Sequence, residues 1–296
     1  MRAYNYTRIY LVIINVMIVN NLNQLGVVFL SWRAPKTLRA SLQSFSENLS
    51  SELFADALVY GQELTQDDCD IANEFGFRAA GNQRNVGILS GMKQAVAATR
   101  ADYILYLECD CALIASREKA ANSLANSLHA LSMNQIDVMR LRHLRYAGAD
   151  YTPKKHIRYW PDSTGKETFV KKIRRFVRPY KTRRLIGEAC LLHSCAEKRF
   201  PAYIYRLNSG AYCMRSKYIN WTNQSIMFKK DWFLNNIIPY AESNLSSRTV
   251  NGYPDLEKEM NCSWWRKQNF KVGWDDPGLF THKRHDRPLG DEKLQC

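Results

Sequence analysis

Two carboxylates one residue apart, Glu108 and Asp110, close the apolar run Tyr103-Ile-Leu-Tyr-Leu-Glu-Cys-Asp110. Carboxylate oxygens are the ligands that hard divalent cations take. Two further polar clusters end apolar runs in the same way: Ser31-Trp32-Arg33 and Gln62-Glu63. Charge marks a different kind of site. Residues 154–184 carry 12 Lys/Arg against only Asp162 and Glu167, with Tyr159, Trp160, Phe169, Phe176 and Tyr180 interleaved. Such a mixture suits phosphate contact and base stacking, an anionic membrane surface, or simply a solvated basic face.

The elements that carry these clusters alternate in type. Gly26–Ser31 is a short continuous apolar run, as expected of a strand buried on both faces. Pro35 opens a helical stretch with Leu38, Leu42 and Phe45 on one face. Ala57–Tyr60 reads as a second strand, Asp70–Phe75 as a helix ending at Gly76, Asn85-Val86-Gly87 as a turn, and Ser90–Arg100 as another helix. Tyr103–Glu108 is the next strand, and Ile136–His143 alternates apolar and polar residues like a further one. Strands and helices in alternation imply a mostly parallel sheet. Such sheets bind ligands outside the carboxyl ends of their strands, where all three polar clusters fall.

The bulk numbers fit a folded protein with an anionic partner. The chain has 296 residues, 46% hydrophobic and 24% charged, which excludes a disordered chain and allows one substantial core. Its 42 Lys+Arg against 28 Asp+Glu give a formal net charge of +14, an attraction for phosphates, nucleic acid or membrane surface. Eight scattered cysteines include no C-x-x-C pair, which fits a reducing compartment better than a disulfide framework. Ile9–Val19 is an 11-residue apolar run interrupted by Asn15, short of the roughly 20 residues of a membrane span. Residues 1–24 are expected to form an N-terminal, membrane-associated segment. The chain is therefore placed in the cytoplasm or peripherally at a membrane, with a signal anchor as the alternative.

In this order the motifs resemble those of GT-A fold nucleotide-diphospho-sugar transferases, with most similarity to glycosyltransferase family 2. Val27-Val-Phe-Leu-Ser-Trp-Arg-Ala-Pro-Lys-Thr-Leu38 resembles that family's first strand and the turn into its first helix. Asn85-Val86-Gly87 resembles its "N-x-G" segment, Tyr103–Asp110 the strand delivering an Asp-x-Asp motif, and Phe280-Thr-His282 its late metal-binding histidine. The resemblance covers residues 25–145 well and the rest in outline. It implies an α/β fold with a Rossmann-like, mostly parallel central sheet flanked by helices. One domain would span 25–296, with a nucleotide-binding half (25–145) and an acceptor-binding half (146–296) that includes the basic insertion 154–184.

The implied activity is metal-dependent transfer of a sugar from a nucleotide-diphosphate sugar, UDP by default, to a hydroxyl of a glycan, lipid or protein acceptor, with inversion. The implied cofactor is Mn²⁺ or Mg²⁺, neutralising the diphosphate. Asp110 would be its main carboxylate, with Glu108, which replaces the usual Asp, and His282 as partners; His285 is the fallback histidine. Ser31 and Arg33 would touch the nucleotide, Glu63 or Asp67 the base or ribose, and Arg84 and Lys93 the phosphates. Gly210, in Arg206–Arg215, would line the donor sugar. The catalytic base is expected in Asp255-Leu256-Glu257-Lys258-Glu259, 27 to 23 residues before His282, with Glu257 first, Asp255 second and Asp231 a weaker rival. The basic insertion would face an anionic acceptor or make peripheral contact with an anionic membrane, and no nucleic acid is expected as partner. The alternatives are a basic nucleic-acid-binding module built on residues 154–184, and a nucleotidyltransferase that makes sugar nucleotides. The second would need a Gly-rich, Lys-containing loop after the first strand, where Trp32-Arg33-Ala34-Pro35 stands.

Overall fold

The computed structural model describes residues 22–148, 154–162 and 164–286; the apolar run Ile9–Val19 lies outside them. Its strands are β1 (Leu25–Trp32), β2 (Asp56–Gln62), β3 (Arg78–Asn82), β4 (Tyr103–Glu108), β5 (Cys111–Leu113), β6 (Val138–Arg140), β7 (Ile204–Arg206), β8 (Tyr212–Arg215), β9 (Ile226–Lys229), β10 (Thr249–Val250), β11 (Tyr253–Pro254), β12 (Lys271–Trp274) and β13 (Phe280–His282). The principal helices of the first half are α1 (Pro35–Ser46), α2 (Gln66–Glu74), α3 (Gly87–Ala98) and α4 (Arg117–Ser132).

Nine strands form one sheet in the order β3-β2-β1-β4-β9-β6-β12-β8-β7. β3, β2, β1 and β4 run parallel, whereas β9 is antiparallel to both β4 and β6. β12 is parallel to β6 and antiparallel to β8. The sheet is thus mostly parallel, and the second half of the chain completes the sheet begun by the first. Among the described residues no helix is long and apolar enough to cross a membrane.

Strand alternation divides the core in two. Val27, Phe29, Leu105 and Leu107 face one layer with Leu38, Leu42 and Phe45 of α1 and Leu124 and Leu128 of α4. Val28, Leu30, Ile104 and Tyr106 face the other, with Leu89 and Met92 of α3 and with Leu256, Met260 and Trp265 from the second half. Successive side chains of a strand point to opposite faces, so Glu108 continues the row of Ile104 and Tyr106. Cys109 instead enters the α1 layer.

Several elements differ in extent from the sequence expectation for local reasons. α2 starts at Gln66 and not at Asp70, because Thr65 and Asp68 form a reciprocal capping box. α3 starts at Gly87, whose φ of +82° suits glycine and where a Cβ would lie 2.4 Å from the Tyr253 side chain. The strand in Ile136–His143 is confined to Val138–Arg140. β3 and α4 have no counterpart in the sequence reading: β3 is a half-buried edge strand with no apolar run. It is fastened to β2 by Arg78, whose Nε and Nη2 donate to Asp56 at 2.7 and 2.6 Å.

Candidate active site

The carboxyl end of β4 brings Glu108 and Asp110 to one edge of the sheet. Cys109 N–H donates to Leu30 O at 2.9 Å, extending the ladder with β1. The chain then enters β5, which pairs antiparallel with β13 and sets His282 opposite Cys111. That register carries the late histidine 172 residues along the chain to the acidic pair. His282 Nε2 lies 2.9 Å from Asp110 Oδ2, and Lys283 N–H donates to Asp110 O at 2.8 Å. The next residues cap α1: His285 N–H donates to Thr37 Oγ1 at 2.8 Å, and Asp286 Oδ2 accepts from Thr37 N–H at 2.9 Å. His285, the fallback histidine, is an exposed member of this cap.

One ligand atom each from Glu108, Asp110 and His282 lies within 4.8 Å of the others, the one such trio among the described residues. Two carboxylates and an imidazole are a donor set that Mn²⁺ or Mg²⁺ accepts. The charge balance fits a cation as well. Burial, then the negative charges of Asp110, Glu257 and Asp255, push the Glu108 carboxyl well above its ordinary range. The neighbouring thiols take no part: burial, then Asp110, raises Cys109 to about 12 and Cys111 well above its usual value.

The acidic triplet is sorted by its surroundings. Glu259 accepts from Ser246 N–H at 3.0 Å and Ser246 Oγ at 2.8 Å, and so holds a loop. Asp255 caps the short helix Leu256–Met260, accepting from Glu257 N–H at 3.0 Å. It is buried, and burial raises its carboxyl despite that bond. The helix of Glu257 packs on the Tyr106 side of the sheet, and its charge acts on Glu108. Burial, then the charge of Asp255, lifts it to about 7, against the opposing pull of Arg140 and Arg142. Asp231, the weaker rival, follows β9; because β9 is antiparallel to β4, with Lys229 opposite Tyr103, Asp231 sits at the opposite edge of the sheet from Glu108.

Arg140 and Arg142 escaped the sequence reading. Both are buried and, two residues apart on an extended segment, share the face on which Val138 packs. Arg140 stacks over Trp274 at 4.1 Å, and Arg142 donates to Ala147 O at 2.7 Å and to Gln224. Gln224 also bonds Glu108, which ties the arginine row to the acidic one. The available signal was the alternation Arg140-Leu141-Arg142 within the run Ile136–His143.

Of the remaining expected residues, all but Lys93 and Gly210 lie at or just past the carboxyl ends of β1 to β3. Glu63 accepts from Trp32 Nε1 at 3.2 Å and Arg33 Nε at 2.5 Å. The Arg33 bond leads the influences that hold its carboxyl below the usual range. Arg33 and Glu63 have φ of +47° and +59°, a backbone state uncommon outside glycine and found in tight turns. Ser31 is buried but alternates onto the α1 face with Val27 and Phe29, away from the face of Glu108. Asp67 is exposed in the first turn of α2. Arg84 lines an open cleft of about 670 Å³ with Asn82, Gln83, Val86 and Gln94. A second cleft of about 260 Å³ is lined by Arg145, Cys190, His193, Tyr212 and Asp276 among others; Glu108 and Asp110 line neither. Lys93, expected at the phosphates, instead pairs with Glu242 at 2.7 Å. Gly210, expected to let backbone approach the donor, lies in the β7–β8 turn. Its φ of +86° accounts for the glycine, and nothing lies within 4 Å of a Cβ built there.

No family model matches the sequence, and no curated protein matches it. Among solved structures, GalNAc-T7 with UDP, GalNAc and Mn²⁺ superposes on 92% of this chain with a TM-score of 0.53 at 11% identity. The chain has the GT-A fold. A structure of S. aureus TarS 1-349 in complex with UDP-GlcNAc aligns with 90% of the chain at a TM-score of 0.48 and 10% identity. The chain spans 45% of the GalNAc-T7 chain and 60% of the TarS one.

Proposed function

We propose that the protein is a metal-dependent glycosyltransferase that moves a sugar from a nucleotide-diphosphate sugar, UDP by default, to an acceptor hydroxyl with inversion. The observation that carries this reading is the convergence of Glu108, Asp110 and His282 at the carboxyl end of β4, within reach of the charge of Glu257. Asp110, Glu108 and His282 would hold the divalent cation. When bound, that cation supplies positive charge against the diphosphate leaving group. The Mn²⁺ and UDP of the GalNAc-T7 structure favour that choice of ligands.

Glu257 is the base. Its carboxylate takes the proton of the acceptor hydroxyl while the hydroxyl oxygen bonds to the anomeric carbon and the bond from that carbon to the diphosphate oxygen breaks. A carboxyl lifted to about 7 is matched to that task near neutral pH. Arg140 and Arg142 temper the negative field around it, and Asp255 orients its helix. Arg33 and Glu63, at the carboxyl ends of β1 and β2, would contact the nucleotide, with Arg84 in the cleft past β3. Residues 25–145 bind the nucleotide, and 146–296 bind a glycan, lipid or protein acceptor.

The test is calorimetric titration of UDP-sugars and GDP-sugars with Mn²⁺ or Mg²⁺ present and with chelator, followed by turnover assays. Metal-dependent binding that Asp110→Asn reduces at least tenfold is expected. Binding indifferent to metal and to Asp110 overturns the reading.

A further inference from the structure

We infer that the helix Phe169–Val177 docks the protein on an anionic lipid bilayer. The helix is segregated by side-chain type. Phe169, Val170, Ile173, Phe176 and Val177 fall within an arc of about 120° at 3.6 residues per turn, and Lys171, Lys172, Arg174 and Arg175 occupy the rest. None of its residues is buried. Phe169 is 76% exposed and Phe176 is 87% exposed, with Tyr180 of the following turn equally open.

The helix is attached by its charged side, the reverse of a surface helix of a soluble domain. Arg175 pairs with Glu167, donates to Tyr159 O at 2.9 Å and stacks over Trp160 at 4.8 Å. Trp160 in turn packs edge-on against Phe200 at 5.1 Å and donates to Thr182 O at 3.2 Å. The base of the segment is therefore built into the body while its apolar face points outward. Scattered exposed hydrophobics need no explanation, but a contiguous stripe does.

Charge chooses the occupant. From Phe169 to Arg183 there are seven Lys/Arg and no Asp or Glu, a charge that an anionic surface attracts and a second copy of the segment opposes. A nucleic acid needs cations and stacking rings on the same face, whereas here they are opposed and the apolar stripe includes aliphatic Val170, Ile173 and Val177. An outward apolar stripe with lysines and arginines along its flanks and behind it, here resting against Lys166, Glu167 and Arg158, is the arrangement of a helix lying in the headgroup layer. The chain runs from this helix into Ile186–Leu191, whose Glu188 acts electrostatically on Glu257. The docking helix belongs to the half proposed to bind the acceptor, but the docking itself does not rest on that reading.

The test is co-sedimentation of the full chain with phosphatidylcholine vesicles, with and without phosphatidylserine. Binding only to the anionic vesicles is expected, weakening as salt rises. Ile173→Ser with Phe176→Ser should lower partitioning about tenfold or more, and Lys172→Gln with Lys181→Gln by roughly fivefold per charge. Both positions of the first pair are exposed, so the thermal melt and nucleotide binding should be unchanged. Absence of vesicle binding overturns the inference. So does binding that Ile173→Ser with Phe176→Ser leaves intact, which would assign it to another segment such as residues 1–21. A dimer that the same pair dissolves, or binding of a uridylate oligonucleotide without vesicle binding, also overturns it.

Discussion

Replacing Glu257 with glutamine should make the protein more stable and nearly inactive. Burial and the Asp255 charge hold the Glu257 carboxyl at about 7 instead of 4.5, so ionising it costs about 3 kcal/mol more in the folded chain than in the unfolded one. A carboxyl raised on folding stabilises fully below its unfolded value, and that contribution is lost as pH rises through about 7. Glutamine does not titrate. Wild type and Glu257→Gln should therefore have the same stability near pH 4.5, and the variant should gain as pH rises. The side chain is partly open to water, so about 1–3 kcal/mol is expected above pH 8. Transfer should meanwhile fall about 10²- to 10⁴-fold, the usual worth of a general base, with metal-dependent donor binding retained. Urea denaturation with chelator at the two pH values, paired with turnover and donor titration, reads both effects. A variant whose margin over wild type is no larger at high pH than at low pH refutes the electrostatic argument. Loss of donor binding along with turnover refutes the role of base.

Three further outcomes are expected. The wild-type pH profile of kcat/KM should have a rising limb that belongs to Glu257, because only its ionised form accepts the proton. Glu257→Asp, which keeps a carboxylate, should retain such a limb with reduced turnover, and a flat profile in wild type would sink the assignment. Gly148→Ala should weaken Mn²⁺ binding about tenfold or more: its φ is +85°, and an added Cβ would lie 2.0 Å from His282 O, which must move β13 away from Asp110. Unchanged Mn²⁺ affinity, read by calorimetry, would remove His282 from the metal site. Asp56→Ala should destabilise the fold by about 3 kcal/mol, because it strands the Arg78 guanidinium and unpairs Arg100 N–H. The Arg78 and Arg100 bonds outweigh burial and hold Asp56 below its usual value. Its contribution is therefore complete above the unfolded value and is lost as pH falls through the folded one. An acid-side urea series on both proteins that runs parallel would contradict this.

The sequence by itself determined the strands that are buried on both faces. Leu25–Trp32, Asp56–Gln62 and Tyr103–Glu108 have runs of apolar residues too short for helices, ending in Trp32-Arg33, in Glu63 and in Glu108 respectively. From these the mostly parallel sheet and the position of Glu108 and Asp110 at the carboxyl ends of its strands follow, because both depend on local pattern. Tertiary structure decided everything that depends on register between distant segments. It set His282 beside Asp110 through the pairing of β13 with β5, and placed Asp231 at the far edge through the antiparallel run of β9. It distinguished Glu257 from Asp255 and Glu259, three carboxylates alike in sequence, by giving one a helix cap and another a loop to hold. It drew Lys93 to Glu242, and it buried Arg140 and Arg142 against the acidic cluster. A charge's role depends on its nearest partners and its access to water, and in this fold those partners lie tens to more than a hundred residues away along the chain.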